Sequence, residues 1–281
     1  MKPSLLVIGC GDLGGAVASH FAAQGWSVTG VRRSTAAITG VNMIAADVTQ
    51  PATLAPLRAL APEFVLIVLT PGSFSDERYR AVYVDGLANI LTNLDCSHLR
   101  RLLWVSSTSV FNQDDGSLLD ETSPAQPASF SGRRLLEAEQ LLRSSALPQT
   151  SVRFGGIYGP GRDRLLQQLR GGRRSPSSPP KISNRIHRDD AAGILQFLLQ
   201  RAADGTALDE LYLGVDTAPT PIAEVEQWFA QYLHLEYDAM TIATGELRGG
   251  NKRCSSARLQ QLGYRFIYPS FRQGLPTLLA P

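Results

Sequence analysis

A glycine-rich turn directly after the first apolar run is the feature that most restricts the fold of this chain. The apolar residues 5–8 are followed by Gly9, Gly11 and Gly14 with the spacing G-x-G-x-x-G, which opens an amphipathic segment. Between a strand and a helix, such glycines permit a tight turn and bring the backbone close to a dinucleotide pyrophosphate. A tight turn without a ligand is the alternative interpretation. The pattern predicts dinucleotide contacts at Gly9, Gly11, Asp12, Leu13 and Gly14.

Short apolar runs alternate with amphipathic segments, which predicts βαβ units and a parallel sheet with helices on both faces. The predicted strands are residues 5–8, 28–32, 41–45, 64–69, 102–105, 150–154 and 211–215. The predicted helices are residues 14–24, 54–60, 79–94, 133–144, 189–200, 221–232 and 255–262. Segment 171–180, GGRRSPSSPP, is expected to be a mobile loop without regular structure, because Gly and Pro dominate it.

The expected fold class is therefore α/β, a doubly wound parallel Rossmann sheet with a smaller C-terminal substrate lobe. Residues 1–158 are expected to form the dinucleotide-binding domain, and residues 159–281 mainly the substrate lobe. About 186–216 are expected to return to the Rossmann sheet. A chain of 281 residues is long enough for such a domain and lobe.

Composition and charge favour a cytoplasmic protein that binds small molecules. The net charge of +2 is too small to attract nucleic acid or a membrane by bulk electrostatics. The apolar run at residues 5–8 is too short for a signal peptide, and no later stretch is apolar enough to span a bilayer. The three cysteines lie far apart and match neither a metal site nor a disulfide framework. A monomer or a homodimer is expected.

The end of the second predicted strand bears on the choice of dinucleotide. Arg32 and Arg33 stand where NAD-binding proteins usually carry an acidic residue. A guanidinium group binds phosphate oxygens in a bidentate manner, so this pair favours the 2′-phosphate of NADP(H) over NAD(H). A solvated arginine pair is the alternative interpretation. Asp47, followed by Val48, comes after the third strand and is expected to border the adenine.

Further segments resemble the extended short-chain dehydrogenase/reductases, the NAD-dependent epimerase/dehydratase family. Residues 105–111, VSSTSVF, are similar to the family's S-S-x-x-V-Y-G, and residues 153–160, RFGGIYGP, to its R-x-x-N-x-Y-G-P. Residues 186–190, IHRDD, resemble its V-H-x-x-D. The STSV segment and the following residues 131–137, SGRRLLE, resemble the YeeZ-like atypical group. The resemblance implies that Ser107 is the catalytic Ser/Thr and that Leu69, Thr70 and Pro71 line the cofactor.

The family's catalytic Tyr-x-x-x-Lys motif is missing. Ser129 falls at the Tyr position and Arg133 at the Lys position. A serine hydroxyl is too weak an acid for that role, and a guanidinium offers charge and hydrogen bonds but gives up no proton. Tyr83 and Tyr158 are candidate substitutes, with ordinary packing as the alternative for each. Ser107 is expected either to contact the substrate or to cap a turn.

A concentration of basic residues around segment 171–180 favours an anionic substrate, such as a phosphorylated or nucleotide-linked sugar. These residues are Arg162, Arg164, Arg170, Arg173, Arg174, Lys181, Arg185 and Arg188. The sequence thus predicts an NAD(P)-binding, epimerase/dehydratase-like oxidoreductase without the usual Tyr/Lys pair. The alternative is a non-catalytic NADP(H)-binding sensor or scaffold protein, since one fold hosts both kinds of function.

Overall fold

The computed structural model describes residues 2–34, 36–243 and 250–279. The strands in chain order are β1 (Ser4–Ile8), β2 (Ser27–Arg32), β3 (Val41–Ala45), β4 (Phe64–Ile67), β5 (Arg101–Ser107), β6 (Leu118–Leu119), β7 (Gln149–Phe154), β8 (Gly156–Tyr158), β9 (Arg173–Arg174), β10 (Ile182–Ser183), β11 (Arg185–His187), β12 (Leu211–Gly214), β13 (Thr220–Pro221), β14 (Thr241–Ile242) and β15 (Arg253–Cys254).

The α-helices in chain order are α1 (Asp12–Ala23), α2 (Asp76–Tyr79), α3 (Gly86–Asn93), α4 (Phe130–Ser144), α5 (Arg164–Arg170), α6 (Arg188–Ala203), α7 (Ile222–Tyr232), α8 (Ala257–Leu262) and α9 (Phe271–Gly274). A π-helical segment, Arg80–Asp85, joins α2 to α3. Short 3₁₀ segments occur at Pro51–Ala59, Thr108–Val110, Tyr237–Ala239 and Leu275–Leu279.

The largest sheet has seven strands in the order β12-β7-β5-β4-β1-β2-β3. Strand β1 pairs in parallel with β2 on one side and with β4 on the other. Because the strand order reverses between β1 and β4, helices are wound onto both faces, and a crevice opens at the carboxyl ends of these two strands. The predicted α/β, doubly wound Rossmann fold is confirmed.

Two compact units divide the chain. The first comprises Met1–Val110, Ala125–Arg153 and Ala192–Tyr212, and the second comprises Phe111–Pro124, Phe154–Ala191 and Leu213–Pro281. In the first, β4 is buried along its whole length, as expected for a strand covered on both faces. The second has an apolar core that includes Leu166, Leu169, Val225 and Phe229. Segment 171–180 lies within the second unit.

Two predicted helices differ from the observed elements in their local geometry. The run predicted as one helix over residues 79–94 begins at Asp76 and contains the π-helical turns of Arg80–Asp85. Apolar spacing alone does not reveal such an insertion, because its apolar residues Val82 and Tyr83 are buried like those of the α-helix that follows. The run predicted as a helix over residues 54–60 is the 3₁₀ segment Pro51–Ala59, in which Pro56 lacks the N–H that an α-helix requires.

The expectation that segment 171–180 contains no regular structure is wrong at Arg173 and Arg174. These residues form β9, which pairs in parallel with β14, and their partners are Thr241 and Ile242. Immediately afterwards Ser175 is buried, and its N–H and Oγ donate to the Glu226 carboxylate at 2.7 Å and 2.6 Å. Partners distant in sequence therefore order a stretch whose local composition favours a loop.

Candidate functional site

The three glycines after β1 have three different structural roles. Gly9 has a φ of +88°, and a Cβ there would lie 1.9 Å from the Val68 carbonyl oxygen. A Cβ on Gly14 would lie 2.4 Å from the Gly9 carbonyl oxygen, so this glycine lets α1 pack closely against the turn. A Cβ on Gly11 would meet no atom within 4 Å. Glycine at position 11 is therefore not required by the protein's own packing, as expected where a ligand approaches the backbone.

Helix α1 presents its N-terminus at the same place. Gly11 is its N-cap and supplies no side-chain hydrogen bond, so the N–H groups of the first turn are available to an anion. Of the two residues that follow, Asp12 is exposed and Leu13 is buried in the core. Their backbone, rather than their side chains, is suited to hold a pyrophosphate.

A cavity of about 620 Å³ opens beside this turn. Eight of the residues expected to contact the cofactor line it: Gly9, Gly11, Arg32, Arg33, Asp47, Val48, Leu69 and Thr70. The cavity wall also includes Ile8, Val31, Ser34, Ala46, Val68, Arg78 and Val82. The remaining expected contacts do not line the cavity but lie within three residues of Gly11 or next to Thr70; these are Asp12, Leu13, Gly14 and Pro71. The carboxyl ends of β1, β2 and β4 thus converge on one cavity.

The two arginines at the end of β2 differ in their surroundings. Arg32 donates through Nε to the Ser34 carbonyl at 3.1 Å and through Nη2 to the Ala36 carbonyl at 2.8 Å. Arg33 is exposed, and its side chain makes no hydrogen bond or ion pair with any residue that the structure describes. Arg32 therefore holds the backbone that follows β2, whereas the Arg33 guanidinium is available to a ligand.

Arg78 is a third cation in the cavity wall, and the sequence analysis missed it. It lies on α2, and its backbone N–H donates to Oγ of the helix cap Ser75. Its Nε donates to the Pro71 carbonyl at 2.8 Å. No motif marks this residue, because its position depends on how the loop after β4 turns into α2.

Asp47 is the acidic residue of the same wall. Its Oδ1 accepts from the Thr49 N–H at 2.9 Å and from the Thr49 hydroxyl at 2.8 Å. Burial raises the pKa of Asp47, but these hydrogen bonds and the charges of Arg78 and Arg33 lower it by more, so the net shift is downward. The ionised carboxylate keeps Oδ2 as an acceptor, which suits the exocyclic amine of an adenine.

Ser107 ends β5, next to the carboxyl end of β4, where Ile67 pairs with Trp104. Its Oγ accepts from the Ser109 N–H at 3.1 Å, and the side chain is half-buried. A hydroxyl that accepts one hydrogen bond still has its own proton to donate. Both roles expected of Ser107, capping a turn and contacting a substrate, are thus compatible with this geometry.

The positions of the absent Tyr/Lys pair have local structural roles. Ser129 is the N-cap of α4, and its Oγ accepts from the Gly132 N–H at 3.2 Å. Arg133 is exposed and donates to the Ala128 carbonyl, just before the helix. Beside Ser129, the ring of Phe130 contacts that of Phe74 at a centroid distance of 4.7 Å. The residues at the start of α4 thus form a helix cap and an aromatic contact, where the family has its Tyr/Lys pair.

The two candidate tyrosines are both largely buried. The Tyr83 hydroxyl donates to the Leu69 carbonyl at 3.4 Å, and burial raises its pKa. Tyr158 lies in the core of the second unit, where burial and the charge of Asp216 raise its pKa. Neither phenol titrates near neutral pH, which disfavours both as bases. Tyr83 lies beside the cofactor cavity, whereas Tyr158 belongs to a different compact unit.

No group of three or more His, Cys, Asp or Glu side chains in the described part of the chain is arranged to hold a metal ion. Among the same residues, no helix combines the length and apolarity that crossing a bilayer demands.

Comparison with protein families matches residues 9–201 to a family described as NAD(P)H-binding. This range includes the glycine turn and every residue that lines the cavity except Ile8.

Three proteins similar to this chain cover nearly its whole length. Protein YeeZ of Escherichia coli K12 is 27% identical and covers 94% of this chain and 95% of its own. A 3-diazoavenalumate denitrifying reductase of a Streptomyces species is also 27% identical, over 96% of this chain and 98% of its own. A Methylobacillus flagellatus structure, provisionally called an NAD-dependent epimerase/dehydratase, is 38% identical, with a TM-score of 0.82 over 100% of this chain and 98% of that one.

Proposed function

This chain belongs to the NAD(P)H-binding family, as an atypical short-chain dehydrogenase/reductase, and we propose that it is an oxidoreductase that prefers NADP(H). The observation that carries the cofactor preference is the wall of the 620 Å³ cavity, which includes Arg33 and Arg78. No carboxylate follows β2 at the position that usually binds the ribose 2′-hydroxyl of NAD. The two cations in this cavity wall, Arg33 and Arg78, favour a ligand with a 2′-phosphate.

The residues present fit a dinucleotide along the length of the cavity. The open space over Gly11 and the N-terminus of α1 suit a pyrophosphate. Asp47 Oδ2 suits the adenine amine, and the backbone of Leu69 and Thr70 borders the other side. A bound nicotinamide supplies or accepts a hydride.

Within the proposed reaction, Ser107 donates a hydrogen bond to the oxygen at which charge develops. Its Oγ is oriented by the Ser109 N–H, which leaves the hydroxyl proton for the substrate. The neighbouring Ser106 hydroxyl donates to the buried Glu139 carboxylate at 2.6 Å, and this hydrogen bond fixes the end of β5. No ionisable phenol and ammonium pair accompanies Ser107 at the positions of Ser129 and Arg133, so proton transfer from solvent is expected.

The proposed substrate is a small anionic molecule, such as a phosphorylated or nucleotide-linked sugar. The basic residues of segment 162–188 support this class by their charge. The name of the Streptomyces relative supports reduction as one reaction type for such a chain. Cys10, Cys96 and Cys254, all in the described part of the chain, form no disulfide, which suits the reducing cytoplasm that we propose as the location.

A non-catalytic NADP(H) sensor is the second candidate. Ser129 caps α4 at the position of the catalytic tyrosine, and this substitution removes the usual acid/base group. In that case the protein would bind NADP(H) without catalysing a reaction.

Titration with NADPH and NADH, followed by nicotinamide fluorescence, tests the cofactor preference. We expect tighter binding of NADPH, and equal affinity or a preference for NADH would refute it. A screen of sugar nucleotides and small carbonyl compounds with NADPH then separates the two candidates. Turnover establishes an enzyme, whereas tight NADPH binding without turnover across the screen favours the sensor.

A further inference from the structure

Arg78 connects the cationic end of the cavity to the loop that follows β4. Its side chain lines the cavity together with Arg33 and Asp47. Its Nε donates to the Pro71 carbonyl at 2.8 Å, and the two preceding residues, Leu69 and Thr70, line the same cavity. One guanidinium group therefore contacts both the cavity and the backbone of residues 69–72.

The remaining donors of Arg78 are suited to an anion. Nε makes the contact to Pro71, and the Nη groups form no hydrogen bond or ion pair within the described ranges of the chain. Asp47 does not neutralise Arg78 by contact, because its Oδ1 accepts from Thr49 instead. Arg33 likewise forms no ion pair with a described residue, although its charge, like that of Arg78, acts on Asp47. Two such cations around one cavity favour an anionic group of the ligand between them.

Arg32 is not equivalent to these two residues. Its guanidinium donates to the backbone carbonyls of Ser34 and Ala36, which fixes it on the segment after β2. Fewer of its donors are available to a phosphate. The positive charge that binds the ligand phosphate therefore comes mainly from Arg33 and Arg78.

We propose that Arg78 binds the 2′-phosphate of NADP(H) together with Arg33, and that it thereby couples the presence of this phosphate to the order of loop 69–72. The inference rests on the proposed preference for NADP(H). A phosphate held by the Nη groups restricts the Arg78 side chain, and the restricted side chain holds the Pro71 carbonyl. Tyr83 supports the same loop, since its hydroxyl donates to the Leu69 carbonyl. Arg78 is thus a specificity-determining residue and also a positioning residue for the cofactor wall.

The first test measures the contact with the phosphate by calorimetry. The probes are adenosine 2′,5′-bisphosphate and adenosine 5′-monophosphate, which differ only in the 2′-phosphate. Arg78→Gln and Arg33→Gln are each expected to weaken bisphosphate binding about 10- to 100-fold, the range for losing a hydrogen bond to a charged group, and to weaken monophosphate binding much less. Arg78→Lys is expected to retain part of the affinity, because it keeps the charge but not the planar donor geometry.

The second test measures hydrogen exchange of the loop amides at Leu69, Thr70 and Gly72. The bisphosphate at saturation is expected to slow exchange in the wild type and in Arg33→Gln, but not in Arg78→Gln. Arg33 forms no hydrogen bond with the described residues of this loop, so its variant is the matched control for a lost charge.

The outcomes distinguish a failure of the proposed NADP(H) preference from a failure of the proposed role of Arg78. A wild type without preference for the bisphosphate overturns the NADP(H) preference and this inference with it. If the wild type prefers the bisphosphate but Arg78→Gln weakens both probes equally, Arg78 binds a part common to both cofactors, and only this inference fails. If the selectivity depends on Arg78 but loop protection persists in Arg78→Gln, the coupling is overturned.

Discussion

The carboxylate of Glu139 on α4 and the guanidinium of Arg153 on β7 form a buried ion pair, with Nη2 2.6 Å from Oε2 and Nε 3.0 Å from Oε1. The exposed fractions of the two side chains are 0% and 4%. Glu139 also accepts from the Ser106 hydroxyl, so one carboxylate joins α4, β5 and β7 directly beside Ser107. Such a pair fixes the geometry of the strand end on which the candidate catalytic serine lies.

We expect Glu139→Ala to lower the free energy of unfolding by about 3–5 kcal/mol, because it removes the carboxylate that neutralises the buried Arg153 guanidinium. Denaturant unfolding measures the change. The matched control is Glu137→Ala on the same helix, whose partly exposed pair with Arg134 is expected to contribute less than about 1 kcal/mol. Equal effects of the two variants would show that burial of the Glu139 pair has no particular role.

Gly11→Val is expected to abolish dinucleotide binding and to leave the fold intact. The added side chain meets no protein atom within 4 Å at Cβ, but it enters the space that the pyrophosphate needs. Gly14→Val is the comparison, since its Cβ would lie 2.4 Å from the Gly9 carbonyl oxygen. It is expected to cost about 1–3 kcal/mol of stability by overpacking.

Fluorescence titration and thermal unfolding distinguish these two effects. Unchanged affinity of Gly11→Val would mean that the glycine motif forms a turn and no ligand site. Unfolding of Gly11→Val to the same extent as Gly14→Val would contradict the separate roles of the two glycines.

The spacing of glycines and apolar runs was sufficient to predict the Rossmann sheet and the cavity at Gly9 and Gly11, because both depend on local patterns. Arg78 could not be predicted in the same way. It reaches the cavity only because the loop after β4 places α2 there, and the neighbouring π-helical turns have no signature in the sequence. Arg33 and Arg32 were predicted together, but only the structure separates the available guanidinium from the one held by carbonyls.

The segment around residue 175 has more regular structure than its own sequence predicts. Its Gly and Pro content predicts a loop, yet Arg173 and Arg174 pair with a strand about 68 residues later, and Glu226 holds Ser175. Non-local partners override local propensity here, as they commonly do for short strands. The mobility expected of this segment stays a prediction.

We expect Glu226→Ala to accelerate cleavage by trypsin after Arg173 and Arg174. The variant leaves the N–H and Oγ of the buried Ser175 without their acceptor, at a cost of about 1–3 kcal/mol for an unsatisfied buried group. Glu224→Ala is the control, since Glu224 is exposed on the same helix, 3.9 Å from the Arg272 guanidinium. Cleavage at equal rates in both variants and the wild type would show that Glu226 does not hold this segment.

Ser107 at the end of β5 and Ser129 at the start of α4 are expected to differ in their roles in proton chemistry. If the chain is an enzyme, Ser107→Ala is expected to lower kcat/KM about a hundredfold, the usual cost of losing one donor to a developing oxyanion. Ser129→Ala is expected to keep most of the activity, because an aliphatic hydroxyl does not titrate near neutral pH. It should instead cost about 1 kcal/mol of stability, since Ser129 caps α4 through the Gly132 N–H.

Ser129→Asp is the matched control, because aspartate keeps the cap and should restore the stability that Ser129→Ala loses. Arg133→Lys is expected to bring little gain, since its ammonium would have no phenol to activate and the Ala128 carbonyl already engages this position. Turnover of the screened substrate and denaturant unfolding, measured on all four variants, separate the chemical role from the structural one. Wild-type activity in Ser107→Ala would show that the reacting oxygen is bound elsewhere. A large loss of activity in Ser129→Ala, rescued by Ser129→Asp, would mean that the cap acts on catalysis by placing the start of the helix.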